Sequence, residues 1–402
     1  MRLGILVSGV LLCRVACAQY AHAQQPPVRA ESAPPNVPQK FGDVSVAGVS
    51  VAGLNSAQAT QRLRRELKKK LDAPHVLTDG KKSVTRRRRD LGVGLDIGQM
   101  LGRAGRGDKV VPLALQINSV QLQRALRRVS PNFKRQSRDA RVVLARGKTI
   151  IVPETNKQAM NIAVSTRYVA AQIEKHPERK MVHVALYSKP PALTASRLKG
   201  INGVIGTYST DFNAAKVKRT NNMRIGIKAI DGTLLSPGEV FSLNKTVGER
   251  TQARGYRTTV IFQSGYKVSG LGGGISQVTG TIFNAALLAG LPISTYKTHS
   301  RSVAYIPLGR DATVAWNQFD MKFKNNTGAP IYVSYKIGDS VTATLFGKKT
   351  NQRVALRVVS KAIGPREIKA QLYRKITRNG KTVTQKIGNS HYKWNQADWE
   401  AE

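Results

Sequence analysis

The chain has 402 residues, enough for two or three domains, and its 41% hydrophobic content is typical of a globular protein rather than a disordered one. It contains 65 Lys and Arg against 23 Asp and Glu, a net charge of +42, which either attracts polyanions or only keeps the protein soluble. Cys13 and Cys17 are its two cysteines, and both lie in the leader described next. The composition therefore excludes disulfides, zinc thiolates and a cysteine nucleophile after the leader. The six histidines share no short spacing, so we expect no metal site and no cofactor.

The N-terminus has the features of a secretory signal peptide. Arg2 precedes an apolar stretch from Leu3 to Cys13, and residues 21–23 form an Ala-x-Ala cleavage site. We therefore predict a signal peptide over residues 1–23 and export to the cell envelope or the medium. The alternative is an uncleaved leader that anchors the protein, although Arg14 interrupts an apolar run that is too short to span a bilayer.

Structure is expected to begin near Phe41. Residues 24–40 are Pro-rich without an apolar period, which predicts an extended linker. Small and β-branched residues alternate over residues 44–54 and predict a strand or a hairpin. Asn55 with Gln58 has the pattern of a capping box and predicts the start of an amphipathic helix. The apolar residues of this helix are Ala59, Leu63, Leu67 and Leu71.

Two later parts of the sequence resemble one another. Hairpins around a Gly turn are predicted at residues 78–89 and 145–154, and a short helix follows each of them. Another helix is predicted at Ser119–Val129. We therefore interpret residues 41–195 as a duplicated small α+β unit, with a coincidence of composition as the alternative. The chain returns to alternating strands from about Leu356, with a hairpin at Asn379-Gly380.

The densest basic cluster is formed by Arg86, Arg87, Arg88 and Arg89. No aromatic residue is interleaved with these charges, as would be expected in a protein that binds nucleic acid, so nucleic acid is not favoured as a partner. The cluster is either a solvated strand or loop, or a docking patch for a phosphate-rich polymer. Both alternatives remain open.

Three glycines introduce the most informative helix. Gly272, Gly273 and Gly274 either bring the backbone close to a ligand or adopt positive φ angles, and the helix after them is predicted to stop at Gly290. Ser276 falls in its first turn, where unpaired backbone N–H groups favour an anion and where serine is also favoured as an N-cap. The helix has an apolar stripe of Val278, Ile282, Ala285 and Ala289.

Polar residues of the same region are candidates for ligand binding. Gln277, Thr281 and Asn284 recur at helical spacing and face either a cleft or solvent. Arg310 and Asp311 follow Gly309, and they form either a turn with an internal ion pair or part of a site. The candidate ligand-binding residues are Gly272, Gly273, Gly274, Gln277, Thr281, Asn284 and Arg310.

Several motifs closely resemble the VanW family. They are GGGISQVTGTIFNAALLAGL (residues 272–291), PGEVFSLNKTVGERTQARGY (residues 237–256), the pair His299-Ser300, and YIPLGRDATVAW followed by FKNNTGAPIYV. In addition, GVSVAGLNSAQATQRLRREL is similar to the opening of a peptidoglycan-binding module that commonly precedes VanW domains, and SHYKW is similar to the family's usual end. The resemblance implies an α+β VanW domain at residues 196–350, a β-rich extension at 351–402, a cell-wall setting and a link by name to glycopeptide resistance. It implies no reaction.

One residue departs from the family pattern. VanW-type sequences have a cysteine where this chain has Ser276, and a cysteine at a helix N-terminus near a histidine is a plausible thiolate nucleophile. A serine would need a base, which His299 could supply with Asp311 as its orienting partner. The G-x-S-x-G elbow is absent, because Val278 stands at the second glycine. Ser276 is therefore an N-cap, a ligand-binding residue or a nucleophile.

These features lead to two main functional hypotheses. In the first, an exported envelope protein binds peptidoglycan or an anionic wall polymer through residues 41–195, with the VanW domain as a second recognition surface and without catalysis. In the second, an acyl-transfer enzyme, a hydrolase or a transpeptidase, acts on wall peptides through Ser276, His299 and Asp311. A secreted nucleic-acid-binding protein is a third hypothesis that depends on charge alone. A nucleotide is not expected, because neither Gly pattern fits a phosphate loop, and membrane contact is expected only through an uncleaved leader.

Overall fold

The structure is a computed structural model that describes residues 39–263 and 266–393. The predicted signal peptide, nearly all of the predicted linker and the end of the C-terminal tail lie outside the described residues. The chain divides into two compact units, and the described part of the first is residues 39–73 with Val93–Gln116. The second contains Pro74–Gly92 and the residues from Ile117 onward. Helices and strands are mixed in each unit, which confirms the predicted α+β class.

The described helices are α1 (Ser56–Glu66), α2 (Lys68–Leu71), α3 (Ile97–Gly105), α4 (Ser119–Val129), α5 (Ile162–Lys175), α6 (Val217–Ile230), α7 (Leu243–Val247) and α8 (Ile275–Leu288). The described strands are β1 (Ser45–Val46), β2 (Val49–Ser50), β3 (Pro74–Thr78), β4 (Ser83–Arg87), β5 (Val93–Leu95), β6 (Val110–Val111), β7 (Leu115–Ile117), β8 (Arg141–Ala145), β9 (Lys148–Val152), β10 (Lys157–Met160), β11 (Met181–His183), β12 (Leu186–Lys189), β13 (Gly203–Asp211), β14 (Leu234–Leu235), β15 (Val240–Ser242), β16 (Thr258–Gln263), β17 (Tyr266–Leu271), β18 (Ile293–Thr295), β19 (Lys322–Lys324), β20 (Ile331–Ile337), β21 (Ser340–Gly347), β22 (Arg353–Gly364), β23 (Glu367–Arg378) and β24 (Lys381–Lys393).

The first helix of the smaller unit begins at the predicted capping box. The Asn55 side chain accepts a hydrogen bond from Gln58 N at 3.0 Å, and the Gln58 side chain accepts one from Asn55 N at 3.0 Å. Ala59 and Leu63 are buried in the core of this unit, as their spacing predicts. The helix ends earlier than the apolar pattern predicts, because Leu67 is its C-cap and Leu71 belongs to the separate short helix α2.

The hairpins predicted at residues 78–89 and 145–154 are present in the larger unit, but the first strand of each begins four residues earlier than predicted, at Pro74 and at Arg141. Strands β3 and β4 pair antiparallel around Asp79-Gly80, and β8 and β9 pair around Gly147. Gly80 and Gly147 have φ angles of 88° and 75°, the left-handed conformation that such turns require. Helix α4 has the predicted bounds. The domain boundaries and the duplication within residues 41–195 stay predictions.

Helix α8 lies at the centre of the core of the larger unit. A four-stranded antiparallel sheet in the order β13-β21-β20-β14 packs against it. The predicted apolar stripe is buried, with Val278, Ile282 and Ala285 each 0% exposed. Gly206 on β13 allows this close packing, because a Cβ at that position would lie 2.3 Å from the Ala285 carbonyl oxygen.

A three-stranded antiparallel sheet, β22-β23-β24, forms the strand-rich C-terminal region that the sequence predicts. The predicted turn at Asn379-Gly380 connects β23 to β24, with φ angles of 51° and 75°. On β23, Leu372 and Arg374 are buried. The Arg374 guanidinium donates hydrogen bonds to the carbonyl oxygens of Leu291 at 2.7 Å and Leu287 at 3.4 Å. The sheet thus supplies a cation to the carbonyl groups at the C-terminal end of α8, where a positive charge is favourable.

None of the helices in the described ranges combines the length and the apolar character that a bilayer span requires.

Candidate functional site

The Gly-rich turn that leads into α8 has a structural explanation for each glycine. Gly272 and Gly274 have φ angles of 81° and 106°, which strain any residue with a side chain. A Cβ on Gly273 would lie 2.0 Å from Thr259 Oγ1 and 2.6 Å from the Val260 carbonyl oxygen. Positive φ angles and tight packing therefore account for the three glycines without a ligand.

Asn222 of α6 holds this turn in place. Its Nδ2 donates to the carbonyl oxygens of Arg257 at 2.9 Å and Gly273 at 3.2 Å, and its Oδ1 accepts from Arg257 N at 2.7 Å. The side chain is 0% exposed. It therefore satisfies backbone groups of two segments that solvent does not reach.

We expect Asn222→Ala to lower the free energy of unfolding by about 3 kcal/mol, because buried backbone groups lose their partners. The neighbouring Asn221 is half-buried and donates one hydrogen bond, to the Gly255 carbonyl oxygen at 2.9 Å. Asn221→Ala is the matched control, with an expected loss of about 1 kcal/mol. Urea unfolding followed by circular dichroism measures both. Equal losses would contradict the role assigned to Asn222.

Ser276 is the second residue of α8, and the N-cap is Gly274. The interpretation of Ser276 as an N-cap is therefore wrong, because the left-handed glycine already ends the turn two residues earlier. The half-buried Ser276 hydroxyl instead forms a hydrogen bond with the Thr313 hydroxyl, at 3.0 Å. Sequence reasoning missed Thr313, which lies 37 residues further along the chain.

His299 and Asp311 form a buried pair. Lys297 and Thr313 make an antiparallel bridge, so His299, two residues after Lys297, lies opposite Asp311, two residues before Thr313. The distance from His299 Nδ1 to Asp311 Oδ2 is 2.8 Å, and the backbone N of His299 donates to the same oxygen at 2.8 Å. The side chains are 6% and 2% exposed. One segment thus supplies both Thr313, the partner of Ser276 on α8, and Asp311, the partner of His299.

Tyr392, at the end of β24, completes the surroundings of Asp311. Its hydroxyl donates to Asp311 Oδ1 at 2.5 Å and accepts from Gly309 N at 2.8 Å. No local sequence feature marks this contact, because 81 residues separate the tyrosine from the aspartate. The carboxylate therefore accepts three hydrogen bonds inside the protein.

These contacts determine the protonation of the group. Burial alone would raise the pKa of Asp311, but the hydrogen bonds and the charge of His299, with the Tyr392 hydroxyl, hold that pKa below its ordinary value. Burial and the charge of Asp311 raise the pKa of Tyr392. Near neutral pH the site therefore has an ionised carboxylate and a neutral phenol that donates to it.

Arg310 does not pair with Asp311, so the predicted internal ion pair is wrong. Arg310 Nε donates to Asn284 Oδ1 at 2.8 Å, and its guanidinium lies 4.9 Å from the centre of the Tyr208 ring. The reason is that His299 and Tyr392 already occupy the carboxylate of Asp311. Arg310 thus connects its loop to α8 and to β13.

The polar side chains of α8 point into the protein. Gln277, Thr281 and Asn284 are at most 1% exposed, so a solvent-facing stripe is wrong. Gln277 Nε2 donates to Thr210 Oγ1 at 3.0 Å, and the Thr281 hydroxyl contacts the same oxygen at 2.9 Å. Each of the three satisfies groups of neighbouring segments, because buried polar atoms need partners.

Arg219 of α6 is a further residue near the start of α8 that sequence reasoning missed. Its Nη2 donates to Gln277 Oε1 at 2.6 Å, and its guanidinium lies 5.8 Å from the centre of the Tyr305 ring. Burial lowers the pKa of Arg219, and the nearby Tyr305 hydroxyl opposes that shift. A cation at the positive end of a helix dipole favours an anion in its neighbourhood.

The basic cluster is only partly exposed. Arg86 and Arg87 are exposed at the end of β4, and Arg89 is exposed just after it. Arg88 is 5% exposed, and its guanidinium donates to the Pro177 carbonyl oxygen. Arg88 therefore has a structural role and is not available to a polymer, while a docking role of the other three stays a prediction.

In the described ranges, no three His, Cys, Asp or Glu side chains come together as a metal site would require.

Comparison with known proteins identifies the region that contains Ser276, His299 and Asp311. A family model described as VanW like protein matches residues 218–346. The chain is 42% identical over 171 residues to the Uncharacterized protein YoaR of Bacillus subtilis (strain 168), and this match covers 42% of the chain and 56% of YoaR. The chain thus spans about half the length of that curated relative. No solved structure matches the chain. The protein therefore contains a VanW-like domain over residues 218–346, and the His299–Asp311 pair lies within it.

Proposed function

We propose that the protein is exported and acts in the cell envelope, where it binds peptidoglycan or an anionic polymer attached to it. The observation that carries the proposal is the surplus of cations, 65 Lys and Arg against 23 Asp and Glu, since such a surplus attracts polyanions. The leader-like residues 1–23 and the VanW-like domain support the same setting. Residues 41–195 are the proposed wall-binding part, because their opening is similar to that of modules that precede VanW domains.

We further propose that the VanW-like domain recognises its ligand without reacting with it. A serine nucleophile needs an imidazole within hydrogen-bond reach of its hydroxyl, about 2.6 to 3.2 Å. The Ser276 hydroxyl instead has the Thr313 hydroxyl as its partner, at 3.0 Å. Two hydroxyl groups at the start of α8, with Arg219 nearby, suit an acceptor such as the carboxylate of a wall peptide.

A second candidate function, acyl transfer on wall peptides, has one observation in its favour. His299 Nδ1 lies 2.8 Å from Asp311 Oδ2, which is the arrangement of a general base and the carboxylate that orients it. This candidate requires Ser276 to leave Thr313 and approach the imidazole when a substrate binds.

Sedimentation with purified sacculi tests the proposed binding. The protein should pellet with sacculi at about 0.1 M salt and be released as the salt concentration rises, because screening weakens the attraction. A protein that stays in the supernatant, while an unrelated wall-binding protein pellets, would refute the proposal.

A pair of hydroxyl variants separates recognition from catalysis. Ser276→Ala and Thr313→Val each remove the same hydrogen bond, so each should lower the free energy of unfolding by about 1 kcal/mol. We expect no turnover of wall peptides by the parent or by either variant. Turnover that is lost in Ser276→Ala and in His299→Ala, but kept in Thr313→Val, would instead establish Ser276 as a nucleophile.

A further inference from the structure

The C-terminal sheet of β22, β23 and β24 has two different faces. On β23, Ala370, Leu372 and Arg374 are 1 to 3% exposed and point towards the core. Successive residues of a strand point to opposite sides, so Tyr373 and Lys375 lie on the other face. The Tyr373 hydroxyl donates to Gln371 Oε1 at 2.8 Å, as expected for neighbours on that face. We call this second face the outer face of the sheet.

Cations dominate the outer face. The strand register places seven Lys and Arg residues there, and all are exposed. Among the described residues of this face the register places one carboxylate, Glu367, which is hydrogen-bonded to His391 Nε2. The seven cations are Arg353, Arg357, Lys361, Lys369, Lys375, Lys386 and Lys393.

The arrangement of these charges is unfavourable for the isolated sheet. Lys361 lies directly opposite Lys369, a like-charge pair of the kind that destabilises antiparallel strands. In another row, Tyr373 lies between Arg357 and Lys386. An external anion that lies across these rows would remove the repulsion.

We propose that the outer face binds a linear polymer of phosphodiester groups that has no bases. Arg353, Arg357 and Lys361 follow one another at intervals of four residues along β22, about 13 Å each, so the charge extends along the strand as the charge of a linear polymer does. Among its described residues the face has one Phe, Tyr or Trp side chain, Tyr373, and its one imidazole, His391, is hydrogen-bonded to Glu367, whereas binding of single-stranded nucleic acid uses several stacking side chains. This inference rests on the proposed function and assigns its anionic partner to a surface outside the matched span 218–346.

The test measures binding of linear poly(glycerol phosphate) to the purified protein over a series of salt concentrations. The sheet variant combines Arg357→Gln, Lys361→Gln, Lys369→Gln and Lys386→Gln. The control variant combines Lys218→Gln, Arg224→Gln, Lys228→Gln and Lys336→Gln, four cations that are also exposed and lie elsewhere in the same unit. Both variants lose the same formal charge, so a difference between them reports position and not net charge.

We expect the sheet variant to bind about 30-fold or more weakly than the parent at about 0.05 M salt. The slope of log affinity against log salt should be smaller in magnitude by about 3, since each phosphate contact contributes about 0.7 to 0.9 to that slope. The control variant should lose less than about threefold. Circular dichroism spectra of the three proteins should agree, because every substituted side chain is exposed.

Other outcomes would overturn the inference in distinguishable ways. Equal losses in both variants would remove the assignment to the outer face, while binding by the parent would leave the proposed function standing. Tighter binding of single-stranded DNA of equal charge would make nucleic acid the occupant, and binding to anionic vesicles without binding to the soluble polymer would make it a membrane surface. If the parent binds no polymer, the inference fails, and sedimentation with polymer-free sacculi then decides whether the proposed function survives.

Discussion

A chain with Gly206→Ala is expected to lose about 3 kcal/mol or more of its free energy of unfolding and to accumulate poorly as folded protein. The new Cβ would lie 2.3 Å from the Ala285 carbonyl oxygen and 2.7 Å from Ala289 N. Both are backbone atoms at the buried C-terminal end of α8, so no side chain can rotate away to make room. Strand β13 would have to move outward from the helix, and the packing along its length would be lost.

The matched control is Gly338→Ala. Gly338 lies between β20 and β21 of the same sheet, and a Cβ there would meet nothing within 4 Å. We expect a change of no more than about 0.5 kcal/mol in either direction. Urea unfolding followed by circular dichroism measures both variants. Similar losses at the two positions would show that close packing between β13 and α8 is not what Gly206 provides.

The second large effect is expected for Asp311→Ala, a loss of about 3 kcal/mol or more at pH 7. The substitution removes an acceptor from His299 N, His299 Nδ1 and the Tyr392 hydroxyl, in a region that solvent hardly reaches. Buried donors without partners cost about 1 to 3 kcal/mol each. Asp339→Asn, at an exposed position, is the control and should change the stability by less than about 0.5 kcal/mol.

The loss should depend on pH in a defined direction. The contacts with His299 hold the pKa of Asp311 below its ordinary value in the folded chain, although burial opposes this. A carboxyl with a lowered pKa adds stability that is fully present above the unfolded value, about 3.9, and disappears as the pH falls through the folded value. The difference between the parent and Asp311→Ala should therefore shrink below about pH 4. A difference that stays constant from pH 7 to pH 3 would contradict the ionised state of Asp311.

Tyr296 and Tyr392, which lie near Asp311, do not contribute to this pH dependence. Burial and the charge of Asp311 raise the pKa of Tyr296 to about 12, and the same causes raise the pKa of Tyr392. Both phenols remain neutral throughout the acid range, so the acid-dependent part of the difference comes from the Asp311 carboxyl.

The sequence predicts those elements whose cause is local. The capping box at Asn55, the turn at Asn379-Gly380 and the bounds of α4 depend on residues within a few positions of one another, and the structure has each of them. The start of helix α8 is predictable from the three glycines that precede it. Its apolar stripe is predictable from the helical spacing of its apolar residues.

The candidate site was predictable only in part, because its contacts join distant residues. Sequence reasoning selected Ser276, His299 and Asp311, and the structure brings His299 to Asp311. It could not supply Thr313 as the partner of Ser276, since a hydroxyl pair across 37 residues has no signature in spacing. The internal ion pair at Arg310 is absent for a related reason, because the partner of Arg310 is Asn284, which lies 26 residues away in the chain.

The hydrogen bond from Tyr392 to Asp311 has a consequence for how the domain is made. A chain emerges from a ribosome or an export channel with its N-terminus first, so Asp311 emerges 81 residues before Tyr392. Until β24 pairs with β23, the carboxylate lacks a donor that it has in the final structure. The site therefore reaches its final geometry only after β24 has been delivered and has paired with β23. A fragment cut at residue 346 would keep Ser276 and the His299–Asp311 segments, but it would lack Tyr392 and its hydrogen bond to Asp311.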